Sequence, residues 1–160
     1  MYINDLKNYL LYILMTPEEF KKSLEFGHKW EEKLTTLIPC NSFKRMEGNF
    51  KYYDIEFYTN EGTKYYEVKA DKMAYKTGNF GIEYECYKQP SGITTTTADY
   101  YAIFVVKPYD IYDLYVIPVS VIKDKINTRS YKRQVWGGDQ KLAGIYIFDI
   151  NTFAEYKTNY

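Results

Sequence analysis

Tyr53-Asp54-Ile55-Glu56-Phe57-Tyr58 and Tyr66-Glu67-Val68-Lys69, joined through Asn60-Glu61-Gly62, read as the two strands of one hairpin. Strand side chains alternate faces with period 2, so Glu67 and Lys69 share a face and Val68 points the other way. On the first strand Asp54, Glu56 and Tyr58 lie on one face, Ile55 and Phe57 on the other. Burying Ile55 and Phe57 beside Tyr66 and Val68 fixes a register with every acid on the opposite side. A two-residue loop at Glu61-Gly62 then sets Asp54 against Lys69 and Glu56 against Glu67. Three carboxylates and an ammonium crowd one patch of sheet, and like charges that close repel unless a cation joins them.

An acid, a turn and a Glu-x-Lys on the returning strand resembles the motif of the PD-(D/E)XK nuclease superfamily. The resemblance implies that Asp54, Glu67 and the backbone carbonyl of Val68 bind Mg2+, with Mn2+ able to substitute. It implies that Lys69 orients or deprotonates the attacking water, or contacts the phosphate. No proline precedes Asp54; Tyr53 stands there, which leaves the carboxylate in place. The competing reading is a hairpin whose charged face is only solvated.

Thr16-Pro17-Glu18-Glu19 predicts a helix start, with a threonine cap, proline at the first helical position and glutamate three after the cap. Phe20, Leu24, Gly27, Glu31, Leu34 and Ile38 then recur at spacings of three and four, one core-facing stripe. Its one carboxylate, Glu31, needs a cation, a hydrogen-bonding partner or solvent. Gly27 would let the helix approach the sheet closely. Gly27-x-x-x-Glu31 also resembles the first helix of archaeal-type Holliday-junction resolvases in this superfamily, which implies Glu31 as a further ligand. In the alternative phase Trp30 carries the packing while Glu31 and Glu32 face water.

One hundred and sixty residues, 46% apolar, is the size of one domain with a real core. The formal net charge is zero, so nucleic-acid affinity must come from local patches and from the metal. Cys40 and Cys86 form no metal pattern and suggest thiols in a reducing compartment. The single histidine, His28, cannot build a His-based zinc centre, and an exposed helix position is expected for it. Tyr9 to Met15 is too short an apolar run to span a bilayer and lacks a basic flank and a cleavage site. The expectation is a short packing helix over residues 3–15 in a protein that is not secreted, cytoplasmic or host-cell intracellular, with no membrane association.

Beyond Lys69 the chain reads as a loop from Asp71 to Asn79 holding Lys72 and Lys76, then a strand from Gly81 to Cys86. Related nucleases carry a polar group on that strand which positions the lysine or the water. Glu83 or Glu85 fits by resemblance, and Glu83 is favoured. Thr94 to Thr97 are poor helix formers, but hydroxyls such as those of Thr94 and Thr95 at a helix N-terminus make a candidate phosphate cradle, with an unliganded capped turn as the alternative. Tyr100–Val106 reads as a strand covered on both faces, Tyr112–Pro118 as another, and Val119–Ile126 as a helix. Lys123 to Lys141 holds six basic residues against two acidic ones, with Tyr131 and Trp136 interleaved. A flexible loop of that kind, presenting Arg129, Lys132 and Arg133, suits phosphate contact and base stacking. Residues 143–150 read as a last strand and 153–156 as a closing helical turn.

These readings converge on an α/β domain over residues 1–160, with a restriction-endonuclease-like core at 17–106, an extension at 107–160 and a central mixed sheet flanked by helices. The expected activity is Mg2+-dependent cleavage of DNA, duplex or branched, by a homodimer. Restriction, repair or RNA cleavage, and a non-catalytic nucleic-acid-binding role, are the alternatives.

Overall fold

The computed structural model describes residues 16–48, 50–137 and 141–160. The helix expected at 3–15 and residues 138–140 of the basic segment lie outside them. Helix α1 (Pro17–Thr35) opens as its sequence dictates. Thr16 Oγ1 accepts from the Glu19 N–H at 3.2 Å, and the Glu19 carboxylate accepts from the Thr16 N–H at 2.9 Å.

The buried face of α1 is phased differently from the stripe read in the sequence. Trp30 and Leu34 are buried with Phe26, Leu37 and Ile38 packed around them, whereas Leu24 is 45% exposed. Trp30 decides the phase: its ring lies 4.8 Å from Phe104 and 5.6 Å from Tyr112 between centroids, more apolar contact than a leucine offers. Gly27 and Glu31 thereby move to the flank. A Cβ on Gly27 would meet nothing within 4 Å, so this glycine marks no close approach to the sheet.

Among the described residues the strands form two sheets. The first has six strands in the order β1 (Ser42–Arg45), β2 (Ile55–Thr59), β3 (Gly62–Asp71), β6 (Tyr100–Val106), β7 (Tyr112–Pro118) and β10 (Lys157–Thr158). β3 and β6 are parallel and the other pairs antiparallel, so the sheet is mixed. The second has the order β5 (Gln89–Pro90), β4 (Asn79–Cys86), β9 (Ala143–Asp149) and β8 (Arg133–Gly137). β6 is buried from Tyr101 to Val106, as a continuous apolar run requires. Ala102, Phe104 and Val106 face α1; Tyr101, Ile103 and Val105 pack with Phe80, Ile82 and Phe148 of the second sheet.

Several local readings change. The hairpin turns at Asn60-Glu61, not Glu61-Gly62, because Thr59 pairs with Gly62 and the Thr59 hydroxyl donates to the Gly62 carbonyl at 2.8 Å. Register shifts by one pair, which preserves both faces and puts Ile55 opposite Tyr66 and Glu56 opposite Tyr65. The Asp71–Asn79 segment contains a helical turn, α2 (Ala74–Thr77), capped where Asp71 Oδ1 accepts from the Met73 and Ala74 N–H groups. β4 belongs to the second sheet, and the third strand beside β2 is the short β1, which had no distinct signal in sequence. A bulge between Glu83 and Glu85 breaks the alternation that set those acids on a common face.

Between β5 and β6 there is no α-helix among the described residues; a 3-10 turn at Gly92–Thr94 follows β5, consistent with Pro90, Gly92 and four β-branched threonines. Nor are residues 133–137 a loop, since they form β8 against β9. Helix α3 (Val119–Asn127) and the 3-10 segment Ile150–Tyr156 complete the chain close to where they were expected. Among the described residues no helix is long and apolar enough to cross a membrane.

Candidate functional site

Asp54 immediately precedes β2, and continuing the strand register sets it across from Glu67 rather than Lys69. Two bonds to β3 fix it. Its N–H donates to the Tyr66 carbonyl at 2.8 Å, and its Oδ2 accepts from the Val68 N–H at 2.7 Å. Glu67 is only 8% exposed, and Lys69 Nζ donates to its Oε1 at 2.6 Å. Lys69 itself reaches outward, with 46% of its side chain in solvent. A half-exposed lysine side chain thus places its ammonium on a buried carboxylate.

Burial pushes the Asp54 carboxyl up to about 6, with the Glu67 charge adding to the rise and Lys69 and the Val68 N–H opposing it. Glu31 contributes in the same sense, so α1 brings this half-buried side chain within electrostatic reach of Asp54, while Glu32 is exposed. Burial would lower the Lys69 ammonium, but Glu67 and Asp54 outweigh it and hold its pKa well above the ordinary lysine value. With no cation at the carboxylates, Lys69 is therefore held in its charged form.

Glu56 leaves the cluster that the hairpin reading gave it. Its carboxylate accepts from Tyr53 Oη at 2.6 Å and from Tyr58 Oη, and the Tyr53 bond is the main cause of a lowered Glu56 pKa and of a Tyr53 hydroxyl pushed up to about 12. Glu83 is held elsewhere too: its Oε1 accepts from Ser91 Oγ at 2.5 Å. It remains close enough for its charge to act on Tyr101, the β6 residue paired with Glu67.

An open groove of about 490 Å3 leads away from Lys69, walled by Lys22, Ser23, Phe26, Lys72 and Gly81 among others. The Lys72 ammonium sits 4.1 Å from the centre of the Phe26 ring, which ties the end of β3 to α1. Lys22 was not visible as a site residue in sequence, because only the packing of α1 against β3 brings it beside Lys69.

The other candidate phosphate contacts stand apart from this groove. Lys76 lies over the Tyr75 ring, outside the lining. Thr94 Oγ1 donates to the Tyr84 carbonyl and Thr95 Oγ1 to the Gly92 carbonyl, at 2.8 and 3.3 Å. Their hydroxyl protons close a turn that no α-helix follows. Lys132 donates to Asn79 Oδ1 and pairs with Asp149 at 2.9 Å, tying the segment between α3 and β8 to the second sheet. Tyr131 packs on Tyr146 and Phe148, leaving the 52% exposed Trp136 as the open aromatic of that segment. Arg129 and Arg133 are exposed.

The donor set suits a hard divalent cation: two carboxylates share one face, and their mutual repulsion already raises Asp54. Among the described residues no group of three or more His, Cys, Asp or Glu side chains is arranged to hold a metal ion. The set is therefore a pair, Asp54 and Glu67, with Glu31 on the adjoining helix. No family model matches this chain, and no curated protein matches it either.

Proposed function

We propose that this chain is a metal-dependent nuclease that hydrolyses phosphodiester bonds in DNA, built on a restriction-endonuclease-like core. The observation that carries the reading is the pairing of Asp54 with the Glu67-Val68-Lys69 strand. Asp54 is bonded to the Val68 amide and repelled by Glu67, and Lys69 stands charged at the mouth of a lysine-walled groove. The order within the first sheet supports it: α1, three antiparallel strands, a crossover that carries α2 together with β4 and β5 of the second sheet, and then β6 parallel to β3.

In this reading Asp54, Glu67 and the Val68 carbonyl hold Mg2+, with Glu31 completing the set from α1. The cation would lower the pKa of a water and offset charge on the scissile phosphate. Lys69 orients or deprotonates that water, or contacts a phosphate oxygen. Lys22 and Lys72 line the path of the neighbouring backbone. The branched-DNA and homodimer version rests on Gly27-x-x-x-Glu31 alone, since Gly27 makes no close approach.

A cleavage panel over duplex, single-stranded, flap and four-way-junction DNA, with RNA alongside, tests the reading. Divalent-dependent cleavage of at least one DNA is expected; cleavage of none, with or without Mg2+ or Mn2+, would overturn it. Glu31→Gln should then weaken cleavage while Glu32→Gln does not. The non-catalytic alternative is favoured by one feature, that Lys69 already neutralises Glu67. It is tested by melting, because a metal site raises the melting temperature in Mg2+ by mass action and a decorative acidic face does not.

A further inference from the structure

A buried hydroxyl faces the acid pair without a hydrogen-bond partner. Tyr101 is 1% exposed, and among the described residues nothing bonds its Oη. The parallel register pairs Tyr101 with Glu67 and Ile103 with Lys69, so these side chains leave the sheet on one face. Of the charged groups acting on the hydroxyl, Lys69 is the strongest, ahead of Glu67, Glu83 and Asp54. Orphaned buried hydroxyls are destabilising, because the group gives up water and gains nothing in return. Phenylalanine would fill the same space without that loss.

Lys69 is the group that can supply a partner. Its ammonium has three protons, and one described contact, Glu67 Oε1 at 2.6 Å, uses one of them. A divalent cation on the Glu67 carboxylate repels the neighbouring ammonium, so a cation entering the pair weakens the hold of Glu67 on Lys69. A displaced ammonium needs an acceptor nearby, and the Tyr101 oxygen has two lone pairs. Resting on the metal-dependent reading above, we propose that Tyr101 Oη is the second seat of the Lys69 ammonium, which rests on Glu67 and moves to Tyr101 when a divalent cation takes that carboxylate. Tyr101 is then a positioning residue. It acts through Lys69 and sets how readily the site accepts its cation.

The test is a double-mutant cycle read by melting against Mg2+ and Mn2+ titrations of wild type, Tyr101→Phe, Lys69→Met and the double variant. Without divalent ions Tyr101→Phe should melt at or above wild type. Its Mg2+ midpoint should rise about tenfold, the loss of one hydrogen bond to a charged group. With Met at position 69 the same substitution should leave the midpoint unchanged. A second readout needs no variant: the Lys69 15Nζ resonance of wild type should move when Mg2+ is added. A stationary resonance, an unchanged midpoint in Tyr101→Phe, or the same shift in both backgrounds overturns the proposal. Failure of the nuclease reading looks different, because wild type would then show no divalent stabilisation at all and the seat would fall with it.

Discussion

The two faces of the β2–β3 hairpin are built from adjacent residues of the same strands, yet they meet different surroundings. Ile55, Phe57, Tyr66 and Val68 are buried under α1 against Ala102 and Phe104. Asp54, Glu67 and Lys69 project the other way, toward Tyr101 and the groove. The apolar face is satisfied by packing alone. The charged face is not: Asp54 is raised by burial and then by Glu67, Lys69 is held up by both acids, and a buried hydroxyl lacks a partner. Stability is concentrated on one face and unrelieved charge on the other, a division expected of a strand pair that supports chemistry.

Substitutions on the apolar face should break the fold. Phe57→Ala, at a fully buried position, is expected to cost about 3–5 kcal/mol in denaturant unfolding. A cost under about 1 kcal/mol would mean that α1 does not hold this face as described.

On the charged face activity should fail first. Glu67→Gln is expected to lower cleavage by about 100-fold or more while melting no lower than wild type. It should also bring the Asp54 carboxyl down from about 6, since Glu67 is second only to burial in raising it. Lys69→Ala should lose activity as severely but with a stability defect, because it strips a buried carboxylate of its ammonium. That defect should be largest above about pH 6, where Asp54 is also ionised, and should shrink as the pH falls through that value. Equal melting of the two variants at pH 8 would break the comparison.

Asp54→Asn sharpens it from the opposite direction. The Asp54 pKa of about 6 in the folded protein lies above its unfolded value of about 3.9. The folded state therefore keeps the proton, and this group favours folding below about pH 4, a contribution lost as the pH rises through 6. Asparagine still accepts from the Val68 N–H and carries no charge. The variant should be more stable than wild type at pH 7, by up to about 3 kcal/mol, with the advantage gone below about pH 4. A melting curve series across pH 3.5–8 measures both ends.

The smallest effects belong to the second sheet. Lys132→Ala removes a half-exposed pair with Asp149 and should change stability little. It should leave the salt dependence of DNA binding nearly unchanged. Arg129→Ala with Arg133→Ala should leave melting alone, and each phosphate contact so lost should flatten the log–log salt slope by about 0.9. If Lys132→Ala alters the slope more than the arginine pair does, the basic segment binds DNA through the residue that the fold has tied down.

What the sequence could reveal follows from distance along the chain. The helix cap at Thr16, the alternation of β2 and β3, and the both-sided burial of β6 are local patterns, and each was legible in full. Even a register misplaced by one pair kept every acid on its own face, because a shift of two residues preserves a period of two. Where partners come from far along the chain, local pattern had no hold. Trp30 rephased α1 through Phe104 and Tyr112; Asp149 and Asn79 claimed Lys132; Tyr53 and Tyr58 drew Glu56 out of the cluster. Sequence by itself determined which side chains share a face, since backbone geometry sets that within a few residues. Only the tertiary structure decided which of those charges are buried, which are neutralised and which are left facing one another, because burial and pairing depend on what packs across from them.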